Sequence, residues 1–468
     1  MKKISSIFSI LFPLIIIYIY LFMNGKRTTP MDELYLASAL YFLCILPFFL
    51  YFYLQEKNIP YVALFGLTYF AYYGLGIFHE YDVYTFQQVN PHVIYRTLLI
   101  IFFGFVSFIF AFYSSKLPVE RIVPHINIAF DTTKIWPWGA RLTLIGLVTH
   151  YYTTQEKSVP LIFGSMVTFL DQLTLVGMGV LFLTQLKGKL KLWPKLMLWC
   201  FAMPIRFIFT LSTGGFSTLV YETAVFVFIY LYCRQRIPWL IIILLAFPYL
   251  LIWGARDRYR DRAWLGDYRG KTAFERGFMY LGLIGEGFHQ TVSDDDTEFL
   301  DSAYSRLSAR SNQFVTFAKV VELTPDYVPF WGGFTYRNLL LSPFPRVLFP
   351  DKPIKNLGQD FGHRYGFLDP EDMGTSYNLP FTVEMYINFG VWAVIAGMFI
   401  IGIIVRIIYA LFNHPLCGEG GFLICAVIFV SILNLESDFS LLFGAMIQEL
   451  FLFYIIMKRL KLKVERIS

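Results

Sequence analysis

Charge is what this chain has least of. Asp, Glu, Lys and Arg make up only 15% of its 468 residues, where a soluble chain carries about 25%. With 56% hydrophobic residues and a mean hydropathy of +0.55, the balance excludes a water-soluble fold and points to an integral membrane protein. Cysteine is scarce too. All five cysteines, Cys44, Cys200, Cys233, Cys417 and Cys425, fall in apolar runs or short loops, which excludes a disulfide framework and a thiolate zinc site. No Gly-rich phosphate cradle opens a helix after a strand, so nucleotide hydrolysis is not expected. His289 and His363 stand alone, outside any Ser/His/Asp or HExxH constellation. The acidic run Asp294-Asp295-Asp296-x-Glu298 lacks regular ligand spacing and reads as a solvated loop. Neither a metal nor an organic cofactor is expected. The net charge of +6 is spread over loops and ends, which reads as membrane topology rather than nucleic-acid binding.

What the chain does have is apolar runs. A span needs about 20 such residues to cross about 30 Å of hydrocarbon. Qualifying runs cover 4–23, 34–54, 60–79, 94–114, 138–153, 164–186, 194–212, 214–233, 237–255, 380–411, 418–434 and 440–457. The first is too long for a signal h-region and lacks a small-x-small cleavage site, so it reads as a retained helix. Arg141 and His150 intrude on the fifth. The tenth is overlong, which puts its first turns at the interface. The fold class is therefore all-α and polytopic, with about twelve transmembrane helices.

Lys and Arg set the expected orientation. Lys116, Arg121 and Lys134 lie in the 4–5 loop, Lys187, Lys189, Lys191 and Lys195 in the 6–7 loop, and Arg234 and Arg236 after span eight. Lys458, Arg459, Lys461 and Lys463 follow the last span. All fall on one side if both termini are cytoplasmic; Lys26 and Arg27 are a minor conflict. The chain divides into a nine-helix region (1–255), a large extracytoplasmic loop (256–379) and a three-helix region (380–468). The polar core of that loop, 256–378, is 123 residues long and holds 15 Lys/Arg against 17 Asp/Glu.

Seven of the 15 basic residues crowd into Arg256–Arg276, beginning with Arg256, Arg258, Arg260 and Arg262. Basic residues just outside a membrane run against the usual bias. They read either as a solvated segment paired with Asp257, Asp261 and Asp267, or as an anion site beside the bilayer, since guanidinium forks match phosphate geometry. Arg306 and Arg310 are one helical turn apart and project together. Arg346 and Lys352 both lie in the Pro-rich Phe344–Pro353 segment, whose stiff backbone fixes both cations and whose apolar residues turn it back toward the membrane.

Ionisable residues inside spans are costly and are functional candidates by default. Arg206 lies in span seven behind Pro204, and Glu222 in span eight. They form either an interhelical pair or the floor of a site for a charged lipid head group. Asp171 and Glu449 read as structural hydrogen-bonders. Glu384 and Asn388 are spaced i, i+4, on one helix face at the mouth of span ten. Glu384 is either a general base with a raised pKa at the water–lipid boundary or a helix-start carboxylate facing a dipole. Glu436 and Asp438, in the turn between spans eleven and twelve, are rival bases.

Residues 302–406 resemble the oligosaccharide repeat-unit polymerases, the O-antigen polymerase group. Four pieces carry the likeness: Arg306–Gln313, Trp331-Gly332-Gly333-x-x-Tyr336, Pro345-Arg346 with Phe349-Pro350-x-Lys352-Pro353, and Glu384-x-Tyr386-x-Asn388-Phe389-Gly390. The span number and the single large outer loop are similar as well. One departure is Thr213-Gly214-Gly215-Phe216-Ser217, where such polymerases often carry a Gly-Arg pair. The resemblance implies a GT-C-like membrane glycosyltransferase in the bacterial cytoplasmic membrane. Its donor is a growing glycan on a polyprenyl diphosphate and its acceptor one lipid-linked repeat unit. Partners implied are that lipid-linked oligosaccharide, the bilayer and a chain-length-regulating co-polymerase, with no nucleic acid. Catalytic roles fall to Glu384 as base and to Arg346 and Arg310. Substrate contacts fall to Lys352, Arg306, Arg256, Arg258, Arg206, Asn388 and Tyr386. An O-antigen ligase shares this architecture but uses another acceptor. A flippase is the non-enzyme alternative, and would show inverted repeats and short loops throughout.

Overall fold

In hydrocarbon no water satisfies backbone N–H and C=O groups, so the long apolar runs close their hydrogen bonds internally and become helices. The computed structural model describes residues 2–27, 29–54, 58–78, 89–129, 134–154, 161–234, 248–249, 251–293, 313–337, 339–344, 349, 357–459 and 463–467. In chain order its first helices are α1 (Lys2–Gly25), α2 (Met31–Tyr53), α3 (Tyr61–Tyr73), α4 (Pro91–Ser114) and α5 (Lys116–Ile122). Strand β1 (His125–Ala129) follows, then α6 (Trp136–Thr154), α7 (Leu161–Leu186), α8 (Leu192–Ser212) and α9 (Phe216–Arg234). The polar region contributes α10 (Arg256–Arg260), α11 (Ala273–Ser293), α12 (Gln313–Leu323) and α13 (Leu357–Arg364). The chain closes with α14 (Phe381–Phe389), α15 (Val391–Phe412), α16 (Gly418–Ile432), α17 (Phe439–Arg459) and strand β2 (Lys463–Ile467).

The protein is thus mostly helical and membrane-embedded. Among the described residues, five helices are long and apolar enough to cross a membrane: α2, α4, α8, α15 and the Phe439–Ile456 part of α17. The helices follow the apolar runs of the sequence, except that most of 237–255 lies outside the described residues. Two details depart from a uniform span. Within α8 a π turn covers Met197–Ala202, just before Pro204, whose nitrogen has no proton to donate. The overlong run at 380–411 is split into α14 and α15 at Gly390. Its φ of +75° suits glycine alone, and a Cβ there would press on the Phe330 ring at 3.2 Å.

One end of the bundle is marked by the two strands, which pair antiparallel from His125↔Ile467 to Ala129↔Lys463. Lys187 also pairs with Glu419 there, and Arg406 with Glu120. The 4–5 loop, the 6–7 loop, the start of α16 and the C-terminal strand are thereby gathered together. Helix α17 runs from this end to the opposite one, where the Trp331–Tyr336 turn, α14 and the Asn434–Asp438 turn meet.

Candidate functional site

The site is built on the first turn of α17 and the whole of α14. A helix start leaves N–H groups without intrahelical partners and carries partial positive charge. Two carboxylates meet that need. Asp438 Oδ1 accepts from Leu441 N at 3.0 Å, an N-cap arrangement. Glu384 Oε2, reaching across from α14, accepts from Phe439 N at 2.6 Å. Glu384 is fully buried, so this carboxylate faces a dipole, but the dipole of another helix than its own. Glu436, on the same turn, accepts from Asn378 Nδ2 at 2.9 Å. The sequence candidate for the base and its two rivals therefore stand around one helix start.

The Trp331–Tyr336 turn is laid onto α14 by backbone and amide contacts. Trp331 N donates to Ile387 O at 2.9 Å. Gly333 N donates to Asn388 Oδ1 at 2.9 Å, and Asn388 Nδ2 donates to Thr335 Oγ1 at 2.9 Å. Gly333 has a φ of +84°, and a Cβ on it would meet the Phe389 ring at 3.0 Å. Asn388 is the clasp between the two segments rather than an exposed contact. Tyr386 is buried among rings, with Phe317 at 5.6 Å and Phe330 at 6.4 Å between centroids. The Arg364 guanidinium lies over the Trp331 ring at 4.4 Å.

The turn brings Tyr336 beside the carboxylates. Burial pushes its phenol well above the ordinary range, and the charges of Glu384 and Asp438 push it further. Tyr336 is thus held as a neutral hydroxyl next to two acceptors. Beyond it the chain turns along α17. Ser342 donates to Ser440 O, and Pro343 O accepts from Gln448 Nε2 at 3.1 Å. Eight residues of helix rise about 12 Å, so the described start of the Pro-rich segment runs beside a candidate span.

Arg206 belongs to a second polar cluster, between α6, α7, α8 and α9. Its Nε donates to Glu222 Oε1 at 2.8 Å, and its Nη1 pairs with Asp171 Oδ1. His150 Nδ1 is 3.0 Å from the same Asp171 oxygen, and His150 Nε2 is 3.4 Å from Thr210 Oγ1. The guanidinium is only 4% exposed and is shared by two carboxylates. That geometry favours the interhelical pair over the floor of an anionic head-group site, because no charge is left over for a phosphate. Asp171 and His150 are the members that pairing Arg206 with Glu222 alone misses. Both were visible as ionisable residues inside apolar runs.

The remaining cations divide in two. Arg256 is half-buried, stacked on Trp253 at 4.7 Å, while Arg258 is exposed on α10. Tyr259, the next residue along α10, donates to Ser212 O and stacks on Tyr280 at 4.4 Å. This ties α10 to the end of α8 and to α11. Arg306, Arg310, Arg346 and Lys352 lie outside the described residues. Among the described residues no cluster of His, Cys, Asp or Glu could hold a metal ion.

No curated protein and no solved structure matches the chain. A family model does match, over residues 139–466. That range runs from α6 to β2 and includes both polar clusters. The chain belongs to this family, described as a domain of unknown function, DUF8712.

Proposed function

We propose that the protein polymerises polyprenyl-diphosphate-linked oligosaccharide repeat units on the outer side of the bacterial cytoplasmic membrane. In this reading an acceptor hydroxyl attacks the donor's anomeric carbon, the lipid diphosphate leaves, and configuration inverts. Glu384 takes the hydroxyl proton. Arg310 and Arg346 stabilise the leaving diphosphate, with Lys352, Arg306, Arg256 and Arg258 as further phosphate contacts. Arg206 is assigned a structural part. Twelve spans in a GT-C-like arrangement, with the 256–379 region outside and both termini in the cytoplasm, complete the proposal.

One observation carries it. The two sequence pieces Trp331–Tyr336 and Glu384–Gly390, singled out for their resemblance to such polymerases, are clasped together by Asn388 around a buried carboxylate. The deciding experiment is a glycan ladder on a gel from cells lacking the protein. Single-repeat products support polymerisation. Loss of attachment to the final acceptor points to a ligase, and accumulation on the cytoplasmic face to a flippase.

Two further outcomes are expected. Cysteines introduced at Ser293 or Asn356 react with an impermeant thiol reagent in intact spheroplasts, and one at Lys189 stays silent. Labelling at Lys189 alone would invert the topology. Exchanging Arg310 or Arg346 for lysine keeps the charge but loses the two-pronged fork. Loss of one charge-stabilising donor costs about 2.7–4 kcal/mol, or ~10²–10³ in rate. Polymerisation by the purified variant, at normal protein yield, is the measurement; wild-type rates from both would move the diphosphate site to the Arg256–Arg262 cluster.

A further inference from the structure

We infer that a cavity of about 360 Å³ between α7, α9, α16 and α17 is a binding site for an uncharged sugar, held through its hydroxyls. The inference rests on the polymerase reading for its biological meaning but not for its physical argument. Small-molecule sites typically enclose roughly 300–1,000 Å³, mostly apolar with a few convergent polar groups. This cavity has that build. Its lining combines the polar Asp171, Gln172, Arg206 and Glu222 with the apolar Leu175, Val427, Leu442 and Ala445.

Charge selects the ligand class. One guanidinium stands between two carboxylates, so in the polar lining the acids outnumber the cation. A phosphate or carboxylate is repelled by such a lining, and finds no uncommitted cation among these four residues. A ligand that donates hydrogen bonds is favoured, because a buried carboxylate gains from every donor supplied. Sugar hydroxyls donate, and the apolar faces of a pyranose ring suit the apolar part of the lining. An ammonium ion would also be attracted, so the test separates the two.

The cavity shares a wall with the carboxylate site. Asn434 and Ser437 line it; Asn434 Oδ1 accepts from Tyr221 Oη at 3.2 Å, and its Nδ2 donates to Ser437 Oγ at 2.9 Å. Between and beside them, on the same turn, stand Glu436 and Asp438, and Phe439 N bonds Glu384. A sugar in the cavity therefore lies against the turn whose other groups surround the proposed base. This is the arrangement needed to present a glycan near Glu384 while leaving the diphosphate to cations elsewhere.

The experiment compares head groups on one tail. The full chain in lipid nanodiscs is titrated with octyl glycosides (glucoside, galactoside and N-acetylglucosaminide), octyl phosphate and octylamine, each below its micellar concentration. Bound probe is measured by equilibrium dialysis against empty nanodiscs. At least one octyl glycoside is expected to bind saturably, and Ala445→Phe, which adds bulk to the apolar part of the lining, abolishes that binding. Tyr221→Phe removes one hydroxyl from the cavity and weakens it by about three- to tenfold. It decides the matter alone if the phenylalanine at 445 prevents folding. Preferential binding of octyl phosphate or octylamine, or no saturable glycoside binding, overturns the inference. Because binding is read without turnover, failure here leaves the polymerase reading to stand or fall on its glycan ladder.

Discussion

Glu384→Gln is expected to give a folded protein that makes no long chains. Glutamine keeps the side-chain length and an oxygen able to accept from Phe439 N, the bond now made by Glu384 Oε2 at 2.6 Å. The start of α17 therefore stays capped and the Trp331–Tyr336 turn stays clasped through Asn388. What glutamine cannot do at neutral pH is take up a proton. Losing a general base costs about 10²–10⁴ in rate, enough to leave single repeats on a gel. Glu384→Ala is the informative companion. It loses the cap as well, at about 0.5–2 kcal/mol of stability, so its melting temperature falls where that of the glutamine variant does not. If the glutamine variant still builds long chains, Glu384 is only the cap of α17. Glu436→Gln and Asp438→Asn would then be measured in the same way.

That carboxylate shows where sequence reading succeeds and where it stops. Its position at the mouth of a span, on one face with Asn388, follows from an i, i+4 spacing and an apolar run. Its partner, Phe439 N, is 55 residues further along the chain, and no local pattern connects the two. The same division holds elsewhere. Helix positions were legible because hydrocarbon thickness dictates the length of an apolar run. The break at Gly390 was not, since an overlong run could equally rest its first turns at the interface. Choosing between these needed the Phe330 ring packed where a Cβ would be. The sheet joining the 4–5 loop to the C-terminal strand was equally hidden, both strands being only five residues long.

Arg206→Met should be the most destabilising single exchange in the transmembrane region. Methionine fills much of the same space but leaves Asp171 and Glu222 buried with no guanidinium between them. Breaking a buried ion pair by removing one partner costs about 3–5 kcal/mol, because the remaining charge is uncompensated. Removing every charge is different, since apolar or neutral replacements of whole buried networks are often tolerated. The triple variant Arg206→Met, Asp171→Asn, Glu222→Gln should therefore regain most of the lost stability. Thermal melting of the purified chain in detergent measures both. A structural pair predicts the deep loss and its recovery. A head-group floor predicts the reverse pattern: Arg206→Met would melt near wild type while losing affinity for octyl phosphate. If the triple variant is no more stable than Arg206→Met alone, the cluster's worth lies in its hydrogen bonds, with Thr210 and His150 as the groups to test next.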